Sequence, residues 1–277
     1  MRLIGKTFQK LKNHRDGALV AYVTGGDPAP KYTPIIAQAL IEGGADILEI
    51  GIPFSDPIAD GPTIQAASVR ALRAGTTPRK VLEIVREIKN QHNIPVGILT
   101  YYNPIFRMKL DRFFSLAYKC GVDGVIVPDL PIEEADEYRR VAESFGIDTI
   151  FLAAPSTSKE RLRRIVECTT GFLYLVSHFG VTGEREKVEE ETIQMIKRVI
   201  PFTTGRIPLA VGFGISKPDH ARVVVENGAE GVIVGSAFVN IISENQGKMS
   251  KMLDEIKESA RRIKEATIQN LGIHSKI

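Results

Sequence analysis

Short apolar runs alternate with longer segments of helical period along the whole chain, and this alternation predicts an α/β fold. Two further observations narrow it to a (β/α)8 barrel, the TIM barrel. The apolar runs are near-continuous and rich in β-branched residues, as parallel strands covered on both faces must be. Eight strand–helix units fit within the 277 residues, the length such a barrel needs. A doubly wound open sheet is the alternative, but it usually has fewer strands, and no G-x-G-x-x-G follows the first strand.

The elements follow in order. In "MRLIGKTFQKLKNHRDG", Phe8 and Leu11 share one face of a short helix over residues 7–14. Strands are expected at Ala18–Thr24, Ala45–Gly51, Pro95–Tyr102, Gly124–Pro128, Asp148–Ala154, Phe172–Ser177, Ile207–Gly214 and Gly231–Ser236. Helical patterns between them include Pro78–Asn90, Glu133–Phe145, Lys159–Cys168 and Glu190–Val199. Met249, Leu253, Ile256, Ala260 and Ile263 form a stripe on a final helix over about 248–268. The phrases "GGADILEIG", "CGVDGVIVPD" and "NGAEGVIVGS" share a Gly-Ala/Val-Asp/Glu entry into a strand. Their glycines suit left-handed helix C-termini, so turn chemistry accounts for the likeness as well as barrel repetition does. No linker or low-complexity segment divides residues 1–277, which predicts a single domain.

Lys and Arg total 36 against 33 Asp and Glu, and the small excess is spread out, against a nucleic-acid surface. No apolar run approaches the ~18 residues that span a bilayer. The N-terminus lacks the apolar core and cleavage site of a secretory leader. Cys120 and Cys168 stand in no metal or redox spacing and are expected as reduced core thiols. Together these features predict a cytoplasmic protein.

Barrel active sites lie where strands end. Here those ends read Thr24, Glu49, Tyr101, Asp129, Leu152, Ser177, Gly212 and Gly235. No lysine among them offers a Schiff-base amine. Only His178 of the five histidines lies near the rim, so no metal cluster is expected. Glycine-bearing turns follow the last three strands: "GVTG" (Gly180–Gly183), "GFG" (Gly212–Gly214) and "GSA" (Gly235–Ala237). Such turns let backbone N–H groups approach a phosphate, with Ser236 as a helix cap; tight turns alone would also use glycine. Glu49 in a buried strand would hold its proton near neutral pH, as acid–base work requires. An ion pair or a solvent-facing strand end would explain it equally. Asp60 sits on a loop stiffened by Pro53, Pro57 and Pro62, suited to present a side chain over the barrel mouth. Bonding within its own turn is the other reading, and it fits Asp56 as well.

The segment "LEIGIPFSDPIADGPTIQ" closely resembles the signature of the tryptophan synthase alpha subunit family. "VAYVTGGDP", "LTYYNPI", "VPDLP", "GVTG", "GFGIS" and "VGSA" resemble further family segments, over nearly the whole chain. The resemblance implies a one-domain barrel that cleaves indole-3-glycerol phosphate to indole and glyceraldehyde 3-phosphate. It implies no cofactor, and a beta-subunit partner in an alpha2beta2 heterotetramer. It makes Glu49 the acid–base glutamate and Asp60 the loop aspartate. Tyr174 matches a tyrosine near them. Tyr22, Leu99, Tyr101, Asp129 and Leu152 match positions around the indole, and Thr182 lies on the loop that meets Asp60 over the substrate. Gly183, Phe213, Gly214, Gly235 and Ser236 match the phosphate site. One departure is "SHFGVTG", where His178 replaces the family's usual arginine. It leaves loop closure and its regulation open, but not the reaction. Another phosphate-binding barrel, such as a sugar-phosphate isomerase, is disfavoured by the apolar Tyr22, Leu99 and Leu152. A free-standing lyase differs from the subunit only in turning over alone. Intact Glu49 and Asp60 speak against a purely regulatory subunit.

Overall fold

The Gly-acid phrases mark where the barrel is tied together. The computed structural model describes residues 1–176, 190–212 and 214–268. Gly44, Gly121 and Gly228 all have φ between 81° and 100°, in the left-handed region. The acid that follows each then accepts a backbone N–H from a neighbouring strand. Asp46 Oδ2 receives Leu19 N–H at 2.8 Å, Asp123 Oδ2 receives Val96 N–H at 2.8 Å, and Glu230 Oε2 receives Leu209 N–H at 2.8 Å. Lys264 and Lys89 neutralise the first two, at 2.8 and 2.9 Å. The repeated phrase is thus more than turn chemistry. It satisfies donors at strand starts, where buried N–H groups would otherwise be orphaned.

The strands are β1 (Ala18–Thr24), β2 (Ile47–Gly51), β3 (Val96–Leu99), β4 (Gly124–Ile126), β5 (Asp148–Ile150), β6 (Leu152–Ala153), β7 (Leu173–Val176), β8 (Leu209–Gly212) and β9 (Gly231–Val234). All neighbouring pairs are parallel, in the order β5-β4-β3-β2-β1-β9-β8-β7-β6. The two ends of that order, β5 and β6, are one stretch of chain interrupted at Phe151. Its carbonyl accepts Tyr174 N–H at 3.1 Å, so β5 and β6 act as a single stave. The barrel therefore closes with eight staves, as the sequence predicts.

Alternation along the strands sorts side chains into two cores. Leu19, Ala21, Val23, Leu48, Ile50, Val96, Ile98, Val211 and Val232 face outward into a layer shared with the helices. Ala18, Val20, Ile47, Ile126, Ile150, Phe172, Ala210 and Ile233 face inward. The N-terminal helix Leu3–His14 closes the lower mouth with Ile4, Phe8 and Leu11. It starts earlier than the expected residue 7 because fully buried Ile4 joins the same face, one turn before Phe8. The final helix spans Met249–Thr267. Its buried seam runs through Met252, Ile256, Ala260 and Ile263, with Met249 and Leu253 at the margin.

The other boundaries differ in instructive ways. The third strand stops at Leu99 rather than Tyr102, because Tyr101 caps a helix, Tyr102–Met108. Pro104 falls in that helix's first turn, where its missing N–H costs nothing. The expected helix Glu133–Phe145 divides into a 3-10 turn, Ile132–Glu134, and a helix, Asp136–Ser144. The helix from Glu190 continues to Thr203.

Asp123→Ala should lower stability by about 1–3 kcal/mol, since it strands a Val96 N–H and leaves the Lys89 ammonium with only the Ile94 carbonyl. Urea unfolding checks this. Because the change lies at the strand-start end, kcat should stay near wild type. An unchanged midpoint would mean that water replaces the carboxylate at no cost.

Candidate active site

Glu49 faces into the barrel because β2 keeps its alternation: Ile47 inward, Leu48 outward, Glu49 inward, Ile50 outward. Its residue is 1% exposed, and neither carboxylate oxygen has a hydrogen-bond partner among the described residues. Burial overturns the solvent-facing reading of Glu49, and no ion pair to it forms among the described residues. Burial, and then the charge of Asp60, push its pKa up to about 8. The group is a protonated acid at neutral pH.

Around it stands the topmost inward layer. Tyr22 on β1 pairs in register with Glu49. Gly51, two residues on, pairs with Leu99, and Leu152 pairs with Tyr174. Leu99, Leu152 and Val176 are partly buried and rest on the inner core, and they form an apolar wall at the upper mouth. Tyr22 and Tyr174 are nearly fully buried. Their phenols are pushed upward by burial first, so they remain neutral beside the two carboxylates. Gly212 makes room for Tyr174, since a Cβ there would lie 2.7 Å from the ring and its hydroxyl.

Asp60 reaches this layer from the loop after β2. Burial raises its pKa to about 6, against the opposing hydrogen bond from Tyr101. Its carboxylate thus lies beside the Tyr101 hydroxyl, which holds the preceding Ala59 N–H at 3.0 Å. Its backbone carbonyl accepts the Gln65 side-chain amide at 2.7 Å. The exposed Asp56 behaves otherwise, bonding its neighbour Ser55. Pro62 stiffens a helix start rather than the loop, because it opens the helix Pro62–Arg73. That helix is tied back by Arg70, which donates to both oxygens of the buried Asp27 at 2.7 and 2.8 Å. Nothing in the sequence marked this pair, whose members lie on separate elements.

Asp129 has a structural partner: its Oδ1 accepts the Tyr102 N–H at 2.8 Å and fixes the start of the helix Tyr102–Met108. Ala210 and Val211 on β8 pair with Gly231 and Val232 on β9, so the two neighbouring strands lead to the turns that carry Gly214 and Gly235. Ser236, however, is not the helix cap. The helix Ser236–Glu244 is capped by Gly235, and Ser236 is its first residue. The free N–H groups at this end therefore begin one residue earlier than the sequence suggested. Thr182, Gly183, Phe213 and His178 lie outside the described residues. No group of three or more His, Cys, Asp or Glu among the described residues is placed to hold a metal ion.

A parallel barrel with two carboxylates of separated pKa in an apolar upper mouth is a (β/α)8 protein equipped for acid–base chemistry. Comparison narrows the class. The family model described as tryptophan synthase alpha chain matches residues 8–268. The tryptophan synthase alpha chain of Methanothermobacter thermautotrophicus is 47% identical over 261 residues, covering 94% of this chain and 96% of that one. That of Methanoregula boonei is 47% identical over 267 residues, covering 96% and 100%. Among solved structures, Mycobacterium tuberculosis tryptophan synthase superposes with a TM-score of 0.89 at 33% identity, over 97% of this chain and 99% of that one. A chain of the Pyrococcus furiosus tryptophan synthase a2b2 complex superposes with a TM-score of 0.84 at 43% identity, over 90% and 98%. The chain belongs to the tryptophan synthase alpha chain family.

The buried acid has a thermodynamic signature. In the unfolded chain Glu49 titrates near 4.5, and in the fold at about 8. Between these values the folded state holds a proton that the unfolded state lacks, so this group's contribution to stability falls as pH rises. Glu49→Gln removes that penalty. The variant should gain on wild type as pH rises from 5 to 8, by on the order of 2–4 kcal/mol at the upper end. Denaturation midpoints across that range check it, and a pH-independent difference would contradict it.

Proposed function

We propose that this single-domain barrel catalyses the alpha reaction of tryptophan synthase, the retro-aldol cleavage of indole-3-glycerol phosphate to indole and glyceraldehyde 3-phosphate. The observation that carries this assignment of roles is Glu49: an unpartnered, protonated carboxyl facing Asp60 at the apolar upper mouth. Cleavage needs indole C3 made into a leaving group and a proton removed from the C3′ hydroxyl. Glu49 gives its proton to C3, and the ring becomes an indolenine whose positive charge lies largely on nitrogen. Ionised Asp60 accepts a hydrogen bond from that N–H and stabilises the charge. Glu49, now a carboxylate, takes the C3′ hydroxyl proton. The C3–C3′ bond breaks, its electrons restore the indole ring, and the aldehyde leaves. Glu49 ends protonated, as it began.

Leu99, Leu152, Tyr22 and Tyr174 would enclose the indole. The turns at Gly214, Gly235 and Ser236, with Gly183 and Phe213, would hold the phosphate through backbone N–H groups. No cofactor enters this scheme. The partner in this reading is the beta subunit, in an alpha2beta2 assembly. Support comes from Ile58 and Phe106, large apolar side chains that are 79% and 66% exposed on the Asp60 loop and on the helix after β3. No helix among the described residues is long and apolar enough to cross a membrane. Free Cys120 and Cys168 agree with a cytoplasmic setting.

The first test is indole release by the isolated chain and then with its beta subunit, which should raise the rate. Glu49→Gln should lose ~10²–10⁴-fold or more in kcat while still binding substrate. Asp60→Asn should lose most activity too, because an amide cannot offset the ring-nitrogen charge. Near-normal kcat in either variant removes that residue from the chemistry. The pH profile of kcat/KM should be a bell, rising near about 6 as Asp60 ionises and falling near about 8 as Glu49 loses its proton. A profile flat across both values would contradict this division of roles.

The phosphate assignment has its own check. Gly235→Asp should weaken inhibition by glycerol 3-phosphate, because a carboxylate there repels the dianion. A Cβ at Gly235 would also lie 3.0 Å from Tyr22 Cδ1, so Gly235→Ala measures the steric part separately. Unchanged inhibition in Gly235→Asp would place the phosphate elsewhere.

A further inference from the structure

Asp60 lies on a loop with little else to hold it. Ser55, Asp56 and Ile58 are exposed, while Ala59 and Asp60 are only half-buried. One rigid group meets the loop from the other side. Tyr101 is 2% exposed and caps the helix Tyr102–Met108, whose first N–H is held by Asp129. Its ring lies 5.3 Å from that of Phe54, at the loop's beginning. Its hydroxyl meets two adjacent parts of the loop. Its oxygen accepts the Ala59 N–H at 3.0 Å, which leaves its hydrogen to point to the Asp60 carboxylate beside it.

We propose that Tyr101 is the positioning residue of Asp60, one hydroxyl fixing both the backbone before the aspartate and the carboxylate itself. The proposal rests on the role of Asp60 given above and assigns Tyr101 a part beyond lining the indole pocket. A hydroxyl serves because it accepts and donates at once. Phenylalanine would keep the ring contact and lose both bonds.

The electrostatics favour one direction of donation. Burial and then the Asp60 charge push the Tyr101 phenol far upward, so it keeps its hydrogen at every working pH. That hydrogen favours the ionised aspartate and opposes burial, which alone would raise Asp60 further. Among the described residues, the titratable groups facing Asp60 are Tyr22 from β1, Glu49 from β2, Tyr101 beyond β3 and Tyr174 from β7. The three phenols are all pushed upward and Glu49 titrates at about 8; the substrate phosphate titrates at about 6 equally for wild type and Tyr101→Phe, so a difference between their acid limbs reports Asp60.

The test compares wild type, Tyr101→Phe and Asp60→Asn as full chains with indole-3-glycerol phosphate and the beta subunit. In Tyr101→Phe, kcat should fall ~10–100-fold, the loss expected for one hydrogen bond to a charged group. The acid limb of kcat/KM should move to higher pH. Amide hydrogen exchange, read without turnover, should show Ala59 losing protection while β1 and β2 keep theirs. An acid limb and Ala59 protection unchanged in Tyr101→Phe, with Asp60→Asn inactive, overturns the positioning role and leaves the aspartate's role standing. Full turnover in Asp60→Asn overturns both.

Discussion

An ionisable carboxyl sealed inside a barrel, with no hydrogen-bond partner on either oxygen among the described residues, is the constraint from which the upper half of the structure follows. A charged carboxylate in that place would cost several kcal/mol, so Glu49 holds its proton instead. For the proton to be useful, the strand must not slip. A one-residue shift in β2 would turn Glu49 outward and Leu48 into the mouth. The register of β2 with β1 and β3 prevents this, and Asp46, just before β2, accepts the Leu19 N–H and ties the start of β1. Reactivity at one end of the strand depends on hydrogen bonding at the other.

The two mouths accordingly carry different kinds of acid. At the lower mouth Asp46 and Asp123 are paired with lysines and backbone N–H groups, and they hold strands in place. At the upper mouth Glu49 and Asp60 have no cation beside them among the described residues, and burial raises their pKa values to about 8 and about 6. The separation lets one act as acid while the other stays ionised near neutral pH. Neutral Tyr22, Tyr101 and Tyr174 fill the space between without adding charge. Asp27 and Arg70 form the buried ion pair near this end, away from the reacting groups, where the pair fixes the helix that follows the Asp60 loop.

Most of the barrel was legible in the sequence because its signals are local. β1 and the helix Lys159–Cys168 occupy the residues expected, where strand or helical period is uninterrupted. The third strand ends short of its expected bound because a side chain from elsewhere starts a helix there. Asp129 does this at Tyr102, 27 residues away in sequence, and no local pattern announces it. Glu49 stood out because a carboxylate breaks an apolar run; that it lacks a partner is a fact of three dimensions. The Asp27–Arg70 pair and the Tyr101–Asp60 contact were invisible for the same reason. Composition suggests Ser236 as the cap, whereas the backbone at Gly235 begins the helix one position sooner.

The central claim, that Glu49 enters the reaction protonated because the fold isolates it, is open to direct measurement. Infrared difference spectra between wild type and Glu49→Gln, with the glutamate side-chain carboxyls carbon-13 labelled, report the protonation of this one group against pH. The account predicts a protonated carboxyl band at pH 7 that disappears with a midpoint near 8. A midpoint between about 4 and 5, the range of an exposed glutamate, would contradict it.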